Sequence, residues 1–261
     1  MVNLKNYSKD TFLFHKNVIE KKNIRSADPN YKHRVSKLNP DIEIQYKIYN
    51  NSFNANTLEN IVPFHFSAKN KGDLRDLYVF KSKPIQDLKI KLTTTDKNRV
   101  ISTCQYCTIN SINSFDHYLP KEEYSEFSVN PLNLIPCCTE CNGHKLVNWK
   151  ENNKRIFLNL YLDKLPKDQY LFVDLTINTS SIKTHFYLQK QKNMNDNLFN
   201  TLYEHYKRLH LFERFSKNSD EVISSLDNTI LSFVKQLSIK EVIRSVEETS
   251  NRNRSVFGYN Y

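Results

Sequence analysis

The residues of this chain whose types and spacing could do chemistry are five cysteines and one Asp-His pair. Four of the cysteines form two C-x2-C pairs, Cys104/Cys107 and Cys138/Cys141. A C-x2-C turn brings two thiolates to one tetrahedral metal ion, and two such turns complete the four-ligand shell of a structural zinc site. Because a closed shell leaves no position for a water molecule, the spacing predicts a zinc ion that stabilises the fold and does not activate water.

The remaining cysteine, Cys137, directly precedes the second pair. We assign Cys138 as the ligand because its spacing to Cys141 repeats the spacing of the first pair. Cys137 is then a small buried residue or a spare thiol. In a chain that shows no export signal, this pattern favours metal binding over disulfide bonds.

Asp116 and His117 lie between the two cysteine pairs. A neutral imidazole can take a proton from water near pH 7, which suits general base catalysis. Carboxylate and amide oxygens suit a hard cation such as Mg²⁺, and Asn142 follows Cys141 directly, where the zinc clamp would draw it towards Asp116. These residue types together suit a hydrolysis in which a neutral imidazole activates water beside a bound hard cation.

The segments "CQYC", "DHYLP" and "NLIPCCTECNGHK" combine in an order that resembles the HNH nuclease family of the four-cysteine type. The resemblance covers roughly residues 100–150. It implies a small ββα-metal (HNH) core stapled by structural zinc. The flanking sequences predict a mixed N-terminal extension and a mainly helical C-terminal extension, so the expected fold class is α+β.

The resemblance implies a role for each matched position. His117 would be the general base, and Asp116 a ligand of the catalytic divalent cation, Mg²⁺ or Mn²⁺. Asn133 would steady the loop and orient the histidine. Asn142 stands at a third position where the family often has histidine, and it would give the metal a neutral oxygen ligand.

Three further residues are candidate contacts for nucleic acid. His144 is also an alternative third ligand for the catalytic metal. Lys145 stands at the family's lysine position, and Lys121 follows the Asp-His pair. If a helix starts near Thr139, its positive N-terminal end would point towards bound phosphate.

The Asp-His pair also poses a geometric problem. Neighbouring residues on a regular strand face opposite ways, so Asp116 and His117 can meet one phosphate only where the strand ends or twists. Pro120 is consistent with an early end. We therefore expect a distorted strand end at this pair.

Around the motif we predict three regions: a basic extension over residues 1–98, the nuclease core over 99–150 and a C-terminal extension over 151–261. In the first region, "DLRDLYVFKSK" is predicted to be helical up to a break at Pro84. The third region is predicted to begin with a helix over "KRIFLNLYLDKL". Two strands follow, "YLFVDLTI" and "SIKTHFYLQ", joined by the turn "NTS".

Apolar residues at spacings of three and four then predict amphipathic helices. The first runs from Leu198 to Phe215, the second from Ile223 to Leu237, and "SIKEVIRSVEE" forms a third. Outside the motif we read the histidines as structural or surface residues, with His185 on a strand and His205 near the polar face of its helix.

The bulk composition is consistent with an acidic partner. The net charge of +10 favours a polyanion, and nucleic acid is the commonest one. The sequence contains neither an apolar export signal nor a run of roughly 18 apolar residues, so we expect a soluble, cytoplasmic protein without a membrane partner.

The leading hypothesis is a metal-dependent endonuclease that acts on DNA. A second is a non-catalytic zinc module that binds nucleic acid. A third places the nuclease as an effector in antiphage defence, held by a larger partner subunit such as an ATPase, because its flanking regions exceed what a nuclease core needs. That last analogy is at the level of the fold.

Overall fold

The computed structural model describes residues 1–23, 26–178 and 181–257. The chain is α+β and forms two compact units. One unit consists of Asn3–Lys164, and the other of Leu165–Tyr261 together with Met1–Val2. The first two predicted regions therefore fold as one unit, and the boundary to the last region falls after Lys164 instead of after residue 150.

The first half of the Asn3–Lys164 unit is built from helices. They are α1 (Thr11–Lys21), α2 (Tyr31–Ser36), α3 (Asn39–Asn54), α4 (Ala68–Arg75) and α5 (Lys83–Thr93), with a 3-10 helix at Leu58–Asn60. Side chains cap two of them: Asp10 accepts from the Leu13 amide at 2.9 Å, and Ser67 from the Asn70 amide at 3.2 Å.

This helical content corrects the expectation of a mixed N-terminal extension, since the described residues before β1 form only isolated bridges and no named strand. The single helix predicted over "DLRDLYVFKSK" is also wrong. Its first residues belong to α4, which ends at Arg75, and the chain turns before α5 begins at Lys83 with Pro84 in its first turn. Proline has a backbone angle suited to that position and needs no amide partner there.

A two-stranded antiparallel sheet and a short helix carry the motif residues. The strands are β1 (Ser114–His117) and β2 (Leu134–Cys137), and the helix α6 (Thr139–Lys145) follows at once. The register pairs Ser114 with Cys137 and His117 with Leu134. The loop between the strands contains a 3-10 helix at Ser125–Phe127, and all of its residues from Tyr124 to Asn133 are buried.

The helix predicted over "KRIFLNLYLDKL" is wrong. That segment contains β4 (Lys154–Arg155), which pairs with β3 (Lys150–Glu151), and then a loop. The loop is held by Asp163, whose carboxylate accepts from Arg155 at 2.8 and 3.2 Å and from the Asn159 amide at 2.7 Å. These polar contacts and the burial of Leu158 and Leu160 stabilise the loop in place of the backbone hydrogen bonds of a helix.

The second unit follows the predicted order. Its elements are β5 (Leu171–Asn178), β6 (Ser181–Leu188), α7 (Asp196–Arg208), α8 (Leu211–Lys217), α9 (Ser219–Phe233) and α10 (Ile239–Phe257). The two strands pair antiparallel from Leu171↔Leu188 to Asn178↔Ser181, which confirms the hairpin. Most of the turn "NTS" and the last four residues of the chain lie outside the described residues.

Two details of the predicted helices need correction. The first helix is divided into α7 and α8 at His210, which has a left-handed φ of 53°. His205 is completely buried, so it belongs to the apolar face of α7 and not to the polar one. Among the described helices, none combines the length and apolar character that a membrane crossing requires.

Candidate metal centre and histidine site

Four buried cysteines converge at the start of the β1–β2–α6 segment. The sulfurs of Cys104, Cys107, Cys138 and Cys141 all lie within 4.8 Å of one another, and those of Cys107 and Cys138 are 3.8 Å apart. Tetrahedral zinc with bonds of about 2.3 Å to sulfur places its ligands about 3.8 Å apart. The donor set therefore fits a zinc ion, and the predicted four-cysteine cluster is confirmed.

Two of the sulfurs accept hydrogen bonds from backbone amides, as the sulfurs of metal-bound thiolates do. The Ile109 amide donates to Cys107 Sγ, and the Cys141 amide to Cys138 Sγ, each at 3.4 Å. Cys138 thereby caps α6 as well. Such bonds favour the ionised thiol over the neutral one.

Cys137 takes no part in the cluster. It is the last residue of β2, paired with Ser114, and its side chain is buried. Burial raises the pKa of this thiol well above its ordinary value. The assignment of Cys138 rather than Cys137 as a cluster member is confirmed.

The Asp116 carboxylate is buried in a network of two donors. Its Oδ1 lies 2.9 Å from Lys145 Nζ, and its Oδ2 accepts from the Tyr106 hydroxyl at 2.9 Å. Asp116 is 1% exposed and the Lys145 side chain 0%. A charge withdrawn from water this completely needs a close partner, and each residue supplies it for the other.

Lys145 also stabilises the end of β1. Its ammonium donates to the carbonyl of His117 at 3.1 Å and to that of Tyr118 at 3.3 Å. This corrects the prediction that Lys145 contacts phosphate. All three ammonium protons are used inside the protein, and exposure to a ligand would leave Asp116 as an unpaired buried charge.

The His117 ring is fixed by the loop between the two strands. Its Nε2 lies 2.9 Å from the Ser128 carbonyl, and the Tyr78 ring packs edge-on against it with centroids 4.5 Å apart. A carbonyl only accepts, so Nε2 carries the proton and the neutral ring keeps a lone pair on Nδ1. Burial, with the nearby Lys121 charge, lowers the pKa of His117 to about 3, which favours that neutral form.

Asp116 and His117 therefore have different surroundings. β1 ends at His117 as expected, but its pairing stays regular through Asp116↔Ile135 and His117↔Leu134. The carboxylate contacts Lys145 and Tyr106, whereas the ring contacts Ser128 and Tyr78. The expected distortion that would bring both side chains to one phosphate is not found.

Asn133 joins the two ends of the loop. Its Oδ1 accepts from the Leu119 amide at 2.8 Å, and its Nδ2 donates to the carbonyls of Leu119 at 3.0 Å and Phe127 at 3.3 Å. Tyr49 from α3 adds a bond to Oδ1 at 3.2 Å. These contacts fix the loop that supplies Ser128, the acceptor of the His117 ring.

Asn142 and His144 lie on α6. The Asn142 amide donates to Ser114 Oγ at 3.1 Å and to the Phe115 carbonyl at 3.4 Å, which fastens the helix to β1. His144 is partly exposed and lies 4.0 Å from Glu140 on its own helix. Neither residue contacts the Asp116 carboxylate, whose two oxygens belong to Lys145 and Tyr106.

The oxygen donors assigned to a divalent cation therefore do not fit that role in this arrangement. Both oxygens of Asp116 already accept from buried donors, one of them a cation. A divalent ion at Asp116 would compete directly with the Lys145 ammonium. We assign no catalytic step to Mg²⁺ or Mn²⁺ at this position.

Lys121 is the candidate nucleic-acid contact that lies beside His117. Its ammonium sits 5.2 Å from the centroid of the Tyr78 ring, the same ring that packs on His117. Lys121 is partly exposed. The structure therefore places a cation and a neutral imidazole around one tyrosine.

Sequence reasoning missed three residues of this site: Tyr78, Tyr106 and Ser128. Tyr78 lies outside the motif, and Ser128 acts through its backbone carbonyl, which no residue type reveals. Tyr106 could have been noticed, since it stands inside the first cysteine turn, "CQYC".

Fold and site together describe an α+β protein with a buried four-cysteine cluster that fits zinc. The chain is similar to protein ea31 of Escherichia phage lambda, with 25% identity over 217 residues that cover 80% of this chain and 71% of the phage protein. The matched stretch is longer than either compact unit, so it includes residues of both. No family model matches the chain, and the search of the solved structures gave no significant match.

Proposed function

We propose that this protein is an endonuclease that hydrolyses phosphodiester bonds in DNA, with His117 as the general base. The observation that carries the proposal is the state of the His117 ring. Burial lowers the pKa of His117 to about 3, which favours the neutral ring. Its Nε2 donates to the Ser128 carbonyl at 2.9 Å, which leaves Nδ1 to accept a proton from water. The four-cysteine cluster stabilises the segment that carries this ring.

The charge of the surroundings supports a phosphate ligand. Lys121 lies beside His117 at the Tyr78 ring, and the whole chain has a net charge of +10. A bound phosphodiester would also act on the base itself. Its negative charge favours the imidazolium, which raises the pKa of His117 from about 3 towards the range in which a general base works well.

A second candidate function is non-catalytic binding of nucleic acid by a zinc-stabilised module. The ion pair between Asp116 and Lys145 favours it, because that pair occupies the carboxylate that the HNH resemblance assigns to the catalytic cation. In this alternative the basic charge binds the backbone, and His117 has only a packing role.

Cleavage of supercoiled plasmid separates the two functions. The zinc-loaded wild-type protein is assayed with Mg²⁺, Mn²⁺, Ni²⁺ or a chelator too weak to remove the zinc, which also decides whether cleavage needs a divalent cation. His117→Ala should lower the cleavage rate by about 10²-fold or more with its zinc content unchanged. The matched control is His185→Ala, which removes an exposed histidine from the second unit.

The result that contradicts the nuclease proposal is a wild-type protein that binds labelled duplex DNA but never cleaves it. Parallel assays on single-stranded DNA and on RNA identify the substrate class.

A role in antiphage defence with an ATPase partner subunit is part of the same proposal. Its test is co-purification of the tagged chain from its native host with a protein that hydrolyses ATP.

A further inference from the structure

Three buried side chains form a closed polar network beside the cysteine cluster. Tyr106 donates its hydroxyl proton to Asp116 Oδ2 at 2.9 Å, and the Lys145 ammonium lies 2.9 Å from Asp116 Oδ1. All three residues are at most 1% exposed. Each carboxylate oxygen has its own donor, and the two formal charges cancel within the network.

Both donors belong to the segments that carry the cysteine ligands. Tyr106 lies inside the first C-x2-C turn, between Cys104 and Cys107. Lys145 is the last residue of α6, the helix that Cys138 caps and that contains Cys141. A zinc ion that joins the two turns therefore also fixes the distance between the two donors that meet at Asp116.

The network reaches His117 through the backbone. Asp116 precedes His117 on β1, and the same ammonium that pairs with Asp116 donates to the His117 carbonyl at 3.1 Å and the Tyr118 carbonyl at 3.3 Å. The side chain of the residue before His117 and the carbonyls of His117 and Tyr118 are thus tied to Lys145, the last residue of α6. A displacement of α6 would therefore act on the backbone from which the imidazole ring projects.

We propose that Tyr106, Asp116 and Lys145 form a positioning network that couples zinc binding to the orientation of His117, and that Asp116 serves there as an acceptor for Lys145 instead of a ligand for a divalent cation. The coupling is a property of the fold. Its catalytic consequence, control of a general base, rests on the proposed function.

The alternative role for Asp116 would disrupt this arrangement. A divalent cation on Oδ1 would displace the Lys145 ammonium, whose side chain is 0% exposed. An unpaired ammonium in that interior is strongly unfavourable. The network and a metal site at Asp116 therefore exclude each other, and this makes the two roles separable by experiment.

The first experiment follows the His117 ring by ¹⁵N NMR of the full-length, zinc-loaded chain, with the signal assigned by its loss in His117→Gln. Tyr106→Phe and Lys145→Met should shift the His117 ring signals while the protein keeps its zinc. Stepwise removal of zinc from the wild type should shift them in the same direction. Tyr124→Phe is the matched control, since it deletes another buried hydroxyl, bonded to the Ile61 carbonyl at 3.3 Å.

Unchanged His117 signals in a folded, zinc-bound Tyr106→Phe protein would overturn the coupling. That variant decides the question even if Lys145→Met fails to fold, because it removes one hydrogen bond and no charge. The same signals would move in a protein without nuclease activity. Failure of the proposed function and failure of the coupling are therefore distinguishable.

The second experiment measures Mn²⁺ binding by electron paramagnetic resonance in zinc-loaded protein. Asp116→Asn should leave the Mn²⁺ affinity within about twofold of the wild type. If Asp116 is instead a metal ligand, Lys145→Met should strengthen Mn²⁺ binding and Asp116→Asn should abolish it, and that pair of results contradicts the proposal.

In an active enzyme, Tyr106→Phe should lower kcat about tenfold and leave KM within twofold.

Discussion

At the scale of single residues, the energetics of the Asp116 site follow from two charges that are both out of water. Removing either partner leaves the other as an uncompensated buried charge, so Lys145→Met and Asp116→Asn should each destabilise the protein by about 3–5 kcal/mol. The double variant restores neutrality and should cost clearly less than the sum of the two. Urea unfolding of the zinc-loaded proteins measures all three values.

The exposed pair Lys83–Asp87 on α5 provides the comparison. Its side chains are 86% and 58% exposed. The same comparison of two single variants with the double variant should give a coupling free energy of about 0.5 kcal/mol or less there. Additive costs at Asp116 and Lys145 would show that the pair contributes nothing beyond the packing of its side chains.

His15 gives the folded state a pH dependence that is separate from the cysteine cluster. It is completely buried between the rings of Phe12 and Tyr46, and burial lowers its pKa to about 4. The unfolded chain, with a histidine pKa of about 6.5, binds the proton more readily than the native one. The contribution of neutral His15 is therefore full above pH 6.5 and declines as the pH falls towards 4.

The expected size follows from that difference in pKa. Between pH 8 and pH 5.5, protonation of the unfolded state at His15 should lower the free energy of unfolding by about 1.4 kcal/mol. His15→Phe should reduce the loss of stability over this interval by that amount, while the exposed His185→Ala should not. An identical pH profile for wild type and His15→Phe would contradict the assignment. Urea unfolding at both pH values checks it.

At the scale of the elements, α6 ends in a conformation that suits glycine and not leucine. Leu146 has φ 51° and ψ −129°, and the turn is closed by a bond from the Asn148 amide to the Lys145 carbonyl at 3.1 Å. A side chain in this region costs of order 1–3 kcal/mol. The Leu146 side chain is 66% exposed and gains little packing in return.

Leu146→Gly should therefore stabilise the protein by about 1 kcal/mol, after allowance for the greater freedom of glycine in the unfolded chain. Val147→Gly is the matched control. It removes an apolar side chain of similar exposure, 54%, from a residue without a positive φ, and should destabilise the protein. A loss of stability in Leu146→Gly as large as that in Val147→Gly would contradict the proposed backbone strain at Leu146. Thermal unfolding at fixed zinc loading makes the comparison.

The elements also show what the sequence could and could not predict. The spacing of the cysteines identified the cluster, and two strand-like segments on either side of a turn identified β5 and β6, because both signals are local. The polar network at Asp116 depends on Lys145, which is distant in sequence and buried for reasons that no local pattern contains. The same holds for the loop around Asp163, where side chains satisfy the backbone in place of helical bonds.

At the scale of the whole molecule, the predicted boundary after residue 150 failed because the chain beyond it returns to its own beginning. The Leu4 amide donates to the Leu160 carbonyl at 3.1 Å, and Lys150 to the Glu59 carbonyl at 2.7 Å. These contacts join residues more than 90 positions apart, which no local pattern reveals. The compact unit ends at Lys164.

The division into two units makes a prediction about the loss of zinc. Structural zinc held by four thiolates has an apparent binding free energy of about 10–16 kcal/mol, which is comparable to the entire stability of a typical domain, about 5–15 kcal/mol. Chelation should therefore raise amide hydrogen exchange in β1, β2 and α6. Exchange in β5, β6 and α7, which belong to the other unit, should stay the same.

Two serine variants refine this test. Cys104→Ser removes a member of the cluster and should reproduce the effect of chelation, with less than one zinc per chain. Cys137→Ser changes a buried thiol outside the cluster and should retain one zinc per chain and the protection of β1. Equal loss of protection in both units after chelation would mean that they unfold as one cooperative body, and the zinc would then stabilise the entire chain.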